Sequence, residues 1–236
     1  MKGIKEFLGV SLIDWPKRIA AVIFVGGCNF RCPFCYNVDL VLNPQKIPDL
    51  DEKKILEKLK ERKDFIEGVV FTGGEPTLNP DLETSIRKIK EVGLKTALQT
   101  NGSNPEILAK LIRQNLLDGI FMDIKGPINK YNELAGVSVE INKIRKSVEI
   151  IKNNYPKIEA EFRTTIVPEL ITKESIKEIG QWLGPNCNVP YFLQQFRPKK
   201  TLNPRLQQKK PYSKKTLEEM LKIAQKYFKQ AALRGI

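Results

Sequence analysis

Residues 26–37 read GGCNFRCPFCYN and hold three of the four cysteines of a 236-residue chain that contains no histidine. Cys28, Cys32 and Cys35 therefore share one short loop. Three thiols on one loop can form disulfides, hold zinc or hold an iron–sulfur cluster. Because histidine, the commonest zinc ligand, is absent, the choice among these three depends on the number and placement of the thiols.

The odd number of clustered thiols argues against disulfides, which are also rare in cytoplasmic proteins. Structural zinc takes four ligands, and the remaining cysteine, Cys187, lies far away in sequence. Three thiolates suit a four-iron cluster that leaves one iron open to a substrate. A zinc knuckle completed by Cys187 or by an acidic residue remains the alternative; otherwise Cys187 is expected to be incidental.

Around this loop, short apolar runs alternate with amphipathic segments. The apolar runs predict strands at 19–25, 68–74, 94–100, 119–125, 159–168 and 189–196. The amphipathic segments predict helices, among them 51–65, 141–153, 172–183 and a last helix at 213–232, and two helix starts at Asn79-Pro80 and Asn104-Pro105. Such alternation is typical of a parallel sheet with right-handed crossovers.

Six βα units are too few to close an eightfold barrel. We therefore expect an α/β fold, a partial (β/α)6 TIM-like barrel. Its core domain should span 1–200, with a basic linker and C-terminal helix at 201–236 packed on that core. Functional residues of such folds gather beyond the carboxyl ends of the strands. The residues at those ends are Cys28, the Gly73-Gly74-Glu75 turn, Asn101, Asp123 and Lys125.

The chain is strongly basic, with 40 Lys and Arg against 27 Asp and Glu, a net charge of +13. A nucleic-acid surface is one explanation, but the lysines are spread along helices beside glutamates, which favours a lysine-rich surface. No apolar run reaches the roughly 18 residues of a membrane span, and residues 1–16 lack a secretory signal. We expect a cytoplasmic protein with neither a membrane nor a nucleic acid as its partner.

The cysteine loop resembles a known signature. Cys28-x-x-x-Cys32-x-Phe34-Cys35 after the first predicted strand, with Thr72-Gly73-Gly74-Glu75-Pro76, resembles the radical S-adenosylmethionine (SAM) superfamily. Further motifs resemble the glycyl-radical-enzyme activating proteins, and among them the activating protein of anaerobic ribonucleoside-triphosphate reductase. These motifs are Ser11–Pro16, Gly27–Asn29, Cys35–Asn37, Thr100–Gly102 and Asp123–Lys125.

The resemblance implies a radical SAM type of barrel with one [4Fe–4S] cluster on Cys28, Cys32 and Cys35. The amino and carboxylate groups of SAM would chelate the open iron. An electron from flavodoxin or ferredoxin would cleave SAM, and the resulting 5′-deoxyadenosyl radical would take a hydrogen from a glycine of the partner enzyme under anaerobic conditions. The cofactors carry the chemistry, and the protein supplies position and exclusion of water.

The resemblance also implies the residues that contact SAM. The methionine moiety would meet Gly73, Gly74 and Glu75, with either a backbone carbonyl or the Glu75 side chain accepting from its ammonium. The methionine carboxylate or the ribose would meet Asp123, Ile124 and Lys125, and Arg163, a charge inside a predicted strand, would reach the carboxylate. The remaining implied contacts are Phe34, Tyr36, Asn101 and Phe196, the first two at the adenine. Each position has a structural alternative: a glycine turn, ring packing, an Asn-Gly turn cap or an ion pair at a strand end. Gln99 stands where many related activators have an aspartate, which argues against a carboxylate-assisted cation site there.

Two other functions fit parts of this pattern. A radical SAM enzyme that acts on a small molecule, such as a deazaguanine-type synthase, would share the cysteine loop and the Gly73-Gly74 turn. A metal-binding scaffold without enzymatic activity could instead contact nucleic acid through the basic stretch 197–215. Iron and sulfide near four each per chain would indicate the radical class, and one zinc the scaffold.

Overall fold

A computed structural model describes all 236 residues. Eight strands form one sheet and follow each other in chain order. They are β1 (Ile4–Ser11), β2 (Ala20–Val25), β3 (Gly68–Gly73), β4 (Lys95–Thr100), β5 (Gly119–Asp123), β6 (Glu159–Ile166), β7 (Tyr191–Gln195) and β8 (Ala231–Arg234). β1 runs antiparallel to β2, whereas β2–β3, β3–β4, β6–β7 and β7–β8 are parallel.

The six predicted strands are confirmed as β2 to β7, and two strands were missed. β1 pairs only along its β2 edge and contains two register irregularities, so its residues do not follow a simple alternation. β8 has four residues, all half-buried, and too short a run to show a period. Both lie at the margins of the sheet, where the apolar signal is weakest.

Eight helices accompany the strands. They are α1 (Val38–Leu42), α2 (Glu52–Arg62), α3 (Leu82–Glu91), α4 (Pro105–Arg113), α5 (Tyr131–Ala135), α6 (Ile141–Asn154), α7 (Lys173–Leu183) and α8 (Lys214–Ala224). The predicted last helix at 213–232 is therefore too long. α8 ends at Ala224, and the chain then turns into β8.

The helix starts show which capping signals were informative. Asn104 is the N-cap of α4 with Pro105 at the first helical position, as predicted. For α3 the prediction placed the start too early: the N-cap is Asp81, and the Asn79 side chain accepts from the Asp81 N–H at 3.0 Å. A short 3₁₀ turn over Pro76–Leu78 occupies the preceding residues and delays the helix.

The chain divides into two compact units. The first contains 1–29, 39–100 and 104–120, and the second contains 30–38, 101–103 and 121–236. Fully buried apolar side chains fill each unit: Trp15, Leu59, Phe71 and Leu98 in the first, and Tyr131, Phe162, Tyr191 and Phe196 in the second. Burial of these large side chains is the main favourable term in folding each unit. No helix has both the length and the apolarity to cross a membrane.

Candidate functional site

The cysteine loop of the second unit is held by backbone hydrogen bonds. The Cys35 N–H donates to the Cys32 carbonyl at 3.0 Å. Two residues of the basic stretch hold the loop from outside: the Asn203 N–H donates to the Pro33 carbonyl at 2.8 Å and the Leu202 N–H to the Cys35 carbonyl at 3.2 Å. None of the four cysteines forms a disulfide. Hydrogen bonds thus fix the loop backbone, and no disulfide consumes its thiols.

A buried cation lies near these thiols. Burial raises the pKa of Cys35, and the Lys125 ammonium acts in the opposite direction. The Lys125 side chain is 14% exposed and pairs with Asp123 at 3.1 Å. Burial alone would lower the pKa of Lys125, but the Asp123 carboxylate and the Cys32 sulfur raise it above its ordinary value. Lys125 is therefore a positive charge beside two thiols, and it partly opposes the rise that burial causes in the pKa of Cys35.

Ile124 aligns the end of β5 with β6. Its N–H donates to the Arg163 carbonyl at 2.7 Å, and its carbonyl accepts from the Thr164 hydroxyl at 2.9 Å. In a parallel ladder this bonding places Arg163 beside Asp123, with both side chains on the same face. The structure thus brings three residues of the predicted SAM contact set together: Asp123, Lys125 and Arg163.

Arg163 belongs to a buried group of charges. It is 6% exposed, its Nε donates to the Glu161 carboxylate, and its guanidinium lies 4.8 Å from the centre of the Phe121 ring. Arg234 of β8 donates to the same carboxylate through Nη1 at 2.7 Å and Nη2 at 2.9 Å. The Nη2 atom of Arg163 is buried and has no hydrogen-bond partner. A buried donor of this kind is costly unless a ligand completes it.

The aromatic residues of the loop differ in accessibility. Phe34 and Phe196 are buried, whereas Tyr36 is 41% exposed. The Tyr36 and Phe196 rings stack with centroids 6.2 Å apart and planes 20° apart, and the Tyr36 hydroxyl accepts from the Arg197 N–H at 2.8 Å. Tyr36 thus has a fixed and partly exposed ring, so of the three rings it is the best placed to meet adenine. Contact with adenine stays a prediction.

Asn101 caps a turn in the second unit. Its side-chain oxygen accepts from the Ser103 N–H at 2.9 Å, and the Gly102 carbonyl accepts from the Ser147 hydroxyl at 2.6 Å. This is the turn-cap arrangement expected of an Asn-Gly pair. Its predicted contact with SAM remains a prediction, and the turn geometry accounts for the oxygen of the amide.

In the first unit, the Gly73-Gly74 turn lies directly against the residue before Cys28. The Glu75 N–H donates to the Gly27 carbonyl at 2.8 Å, and the Gly74 N–H to the Val25 carbonyl at 2.8 Å. A Cβ on Gly74 would lie 1.9 Å from the Gly27 oxygen, and Gly73 has a φ of +107°. Neither position can carry a side chain without moving the backbone. The glycines therefore allow this turn to pack directly on the backbone of Val25 and Gly27.

The Glu75 side chain is buried and stabilises this turn. Its Oε1 accepts from the Thr77 hydroxyl at 2.6 Å, from the Thr77 N–H at 3.2 Å and from the Thr100 hydroxyl at 2.7 Å. The carboxylate thus links the end of β3 to the end of β4. Sequence reasoning left the acceptor for the SAM ammonium open between this side chain and a backbone carbonyl, and these contacts favour the backbone.

Gln99 takes part in a polar network of the first unit. Its oxygen accepts from the Thr72 hydroxyl at 2.8 Å, and its amide donates to the Asp14 carboxylate at 3.1 Å. Ser11 donates to the other Asp14 oxygen at 2.6 Å. The network joins the Ser11–Pro16 motif to the ends of β3 and β4. An amide here serves a connecting role that an aspartate could not, because two facing carboxylates would repel each other.

The contacts of Cys187 are with residues outside the cysteine loop. It is buried, its thiol is 3.8 Å from the Val189 carbonyl, and it forms an isolated bridge with Phe228. No three Cys, Asp or Glu side chains converge where they could hold a single metal ion. A four-iron cluster takes each thiolate on a different iron and does not require such convergence. Three thiols on one loop are a donor set that fits such a cluster.

Four residues of this region were not predicted as site residues, although Thr100 lies in one of the quoted motifs. Glu161 and Arg234 complete the charges around Arg163, Thr100 supports Glu75, and the Tyr131 hydroxyl lies 3.5 Å from the Lys125 backbone nitrogen. Glu161 stands two residues before Arg163 in a strand, a same-face pairing that alternation alone could have indicated. No local signal marks Arg234, because its partner lies 73 positions away.

Comparison with known proteins identifies related chains. The sequence-family model of the Radical SAM superfamily matches residues 22–183 of this chain. A protein of Methanocaldococcus jannaschii, named as a candidate glycyl-radical enzyme activating enzyme, is 33% identical over 241 residues, which cover 99% of this chain and 96% of that one. The match thus includes the cysteine loop, the Gly73-Gly74 turn and β8.

Solved structures share the fold at low identity. Streptococcus suis SuiB bound to S-adenosylmethionine has a TM-score of 0.61 at 20% identity over 89% of this chain, which spans 48% of SuiB. A domain of the pyruvate-formate lyase-activating enzyme from Bacteroides vulgatus has a TM-score of 0.54 at 19% identity, covering 71% of this chain and 99% of that domain. The expected α/β fold of the radical SAM type, a partial (β/α)6 TIM-like barrel, is confirmed.

Proposed function

Because the chain belongs to the radical SAM superfamily, we propose that this enzyme generates a glycyl radical on a partner protein. The observation that carries the proposal is the full-length likeness to a candidate glycyl-radical enzyme activating enzyme. The motifs at Ser11–Pro16 and Asp123–Lys125, which resemble those of the same group, support it. We propose anaerobic ribonucleoside-triphosphate reductase as the partner and flavodoxin or ferredoxin as the electron donor, all in the cytoplasm.

The residues present fit one [4Fe–4S] cluster and SAM. Cys28, Cys32 and Cys35 lie on one loop and form no disulfide, and Lys125 offers a positive charge to the latter two. Arg163 offers a buried donor with no partner, which an anionic ligand would complete. When bound, the cluster and SAM supply the reductive cleavage and the hydrogen-abstracting radical.

The chain itself binds and orients. In the first unit, the Gly73-Gly74 turn offers backbone carbonyls to the methionine ammonium, and Glu75 keeps the turn in place. In the second unit, Lys125 and Arg163 serve the methionine carboxylate, while the Tyr36 ring serves the adenine, with Phe34 and Phe196 behind it. Asp123 orients Lys125 through their ion pair. Ile124 keeps β5 and β6 in register, which fixes the spacing of these charges.

The test uses the full chain with its cluster reconstituted without oxygen. With dithionite or reduced flavodoxin it should cleave SAM to methionine and 5′-deoxyadenosine, measured by chromatography. With anaerobic ribonucleotide reductase present, electron paramagnetic resonance should detect a glycyl radical on the reductase. The matched control is the same reductase with its radical glycine changed to alanine, which should give 5′-deoxyadenosine without the glycyl signal.

The outcomes separate the proposed function from the two other functions. If no partner glycine becomes a radical while a small purine precursor is consumed, the chain acts on a small molecule and the activating function is wrong. If the purified protein holds one zinc and no iron, the scaffold function applies. Iron near four per chain with a partner radical supports the proposal.

A further inference from the structure

Three charged side chains meet inside the second unit and do not neutralise each other. Arg163 and Glu161 are 6% and 3% exposed, and Arg234 completes the group. Two guanidinium groups and one carboxylate leave one net positive charge, although the Arg234 side chain is 28% exposed. Because Arg163 is buried and shares its carboxylate with a second cation, its charge is incompletely balanced, which is unfavourable unless an opposite charge arrives.

Arg234 decides which atom of Arg163 is left without a partner. A guanidinium and a carboxylate prefer a two-pronged pairing. Arg234 makes that pairing with Glu161, since its Nη1 and Nη2 donate to the two carboxylate oxygens at 2.7 and 2.9 Å. Only Oε1 of Glu161 is shared with Nε of Arg163, and Nη2 of Arg163 has no partner.

Aromatic rings hold both guanidinium groups in place. Arg163 lies 4.8 Å from the Phe121 ring centre, and Arg234 lies 4.1 Å from the Phe192 ring centre. Contacts of this kind favour one orientation of the guanidinium plane. Asp123, beside Arg163 on the same face, pairs with Lys125. The nearest carboxylates are therefore each engaged by another cation.

We propose that Arg234 and Glu161 are positioning residues, which keep Nη2 of Arg163 available for the methionine carboxylate of SAM. The inference rests on the SAM site of the proposed function. It makes β8 part of SAM recognition, although β8 supplies no contact to SAM itself. Arg234 does this by occupying Oε2 of Glu161, which would otherwise capture Nη2 of Arg163.

The proposal predicts an effect that a merely structural role would not produce. In Arg234→Met, both oxygens of Glu161 become available to Arg163, so the pair closes on itself and its net charge falls to zero. In the double variant Glu161→Gln with Arg234→Met, the carboxylate is gone. The charge of Arg163 is then no longer neutralised, and its Nη2 is again available to the ligand. Arg234→Met should therefore weaken carboxylate binding, and the second substitution should restore it.

The experiment measures binding to the reconstituted holoprotein by anaerobic equilibrium dialysis. The probes are SAM, S-adenosylhomocysteine, which keeps the carboxylate, and 5′-methylthioadenosine, which lacks the amino-acid end. Arg234→Met should weaken the binding of SAM and S-adenosylhomocysteine about ten- to a hundredfold, which is the usual effect of losing a charged hydrogen bond. It should change the binding of 5′-methylthioadenosine little. Arg145→Met, at an exposed position of α6, is the matched control.

Restoration of SAM binding in the double variant, with unchanged 5′-methylthioadenosine binding throughout, supports the inference. The inference is overturned if Arg234→Met weakens the binding of all three probes equally or of none of them. It is also overturned if the double variant binds SAM more weakly than Arg234→Met does. These results are independent of the partner. If the wild-type chain binds SAM as described but never produces a glycyl radical, the proposed function alone is wrong.

Discussion

At the scale of single residues, the site is built from buried charges whose partners are assigned one by one. Lys125 pairs with Asp123, Glu161 with Arg234, and Glu75 with two threonines. Each pairing fixes a side chain that could otherwise rotate, because an unpaired charge in the interior is unfavourable. Within each unit, these side chains are therefore oriented before any ligand binds.

Lys125→Ala should weaken SAM binding and slow SAM cleavage by about ten- to a hundredfold, because a charged donor to the carboxylate is lost. The iron content should stay at the wild-type value, since Lys125 is not a cluster ligand. Iron assay and 5′-deoxyadenosine chromatography measure the two quantities. Lys54→Ala, at an exposed position of α2, is the control. Loss of iron together with cleavage would assign Lys125 to the cluster instead.

Single Cys→Ala variants should separate the clustered cysteines from the fourth. Cys28→Ala, Cys32→Ala and Cys35→Ala should each lose the cluster, because a four-iron cluster held by two thiolates is not retained. Cys187→Ala should keep it, since that thiol faces the Val189 carbonyl. Anaerobic reconstitution followed by ultraviolet–visible absorption and iron assay gives the result. Complete loss of iron in Cys187→Ala would contradict the three-ligand arrangement.

At the scale of elements, ends of strands and starts of helices determine where functional residues lie. The backbone bonds from Gly74 and Glu75 join the ends of β2 and β3. Polar side chains make similar links between helices: Glu52 of α2 accepts from Ser85 and pairs with Lys88, both of α3, at 2.5 Å each. Such links between elements determine how stability depends on pH.

Glu52→Gln should destabilise the protein at neutral pH but not in acid. Burial opposes ionisation of Glu52, but Lys88, the amino terminus and Ser85 lower its pKa from 4.5 to about 2. A carboxylate with a lowered pKa stabilises the folded state above its ordinary pKa and loses this contribution as the pH falls toward the folded value. Because solvent screens the group, we expect a loss of about 1 kcal/mol at neutral pH.

Urea unfolding followed by circular dichroism measures that difference across pH. The gap between wild type and Glu52→Gln should shrink as the pH falls below about 4.5 and close near pH 2. Glu57→Gln, at an exposed position of the same helix, should change the unfolding free energy by less than about 0.5 kcal/mol at neutral pH. A gap that is constant with pH would show that ionisation of Glu52 is not its cause.

At the scale of the whole molecule, residues after position 200 contact the cysteine loop and the charges around Arg163. Leu202 and Asn203 donate to the cysteine loop, and β8 brings Arg234 to Glu161. The division into a core at 1–200 and an appended part at 201–236 stays a prediction. These contacts indicate that the structure of the cysteine loop and of the charges around Arg163, within 1–200, depends on residues 201–236.

A chain truncated after Lys200 should fail to hold the cluster at wild-type occupancy. It would lose the backbone donors to Pro33 and Cys35 and the strand paired with β7. Iron assay after reconstitution and far-ultraviolet circular dichroism measure occupancy and folding. A chain lacking only Gly235 and Ile236, both exposed, should match the wild type. If 1–200 reconstitutes fully and stays folded, the core is independent and this reasoning is wrong.

The sequence by itself determined the α/β class, six of the eight strands, and the cysteine loop as the centre of the site. These features are encoded locally: apolar runs mark buried strands, and three closely spaced thiols restrict the kinds of site that their loop can form. The glycine turn was likewise visible, because only residues without a side chain allow such close backbone approach.

Only the tertiary structure decided how buried polar groups are paired. Glu75, whose contact with SAM stays a prediction, is engaged by Thr77 and Thr100, and Arg163 shares the Glu161 carboxylate with Arg234, 71 positions further along the chain. Pairings of this kind depend on which side chains meet after folding, and neither composition nor periodicity carries that information. The physical reason is that a buried charge must be satisfied by whichever partner lies nearest in space, not in sequence.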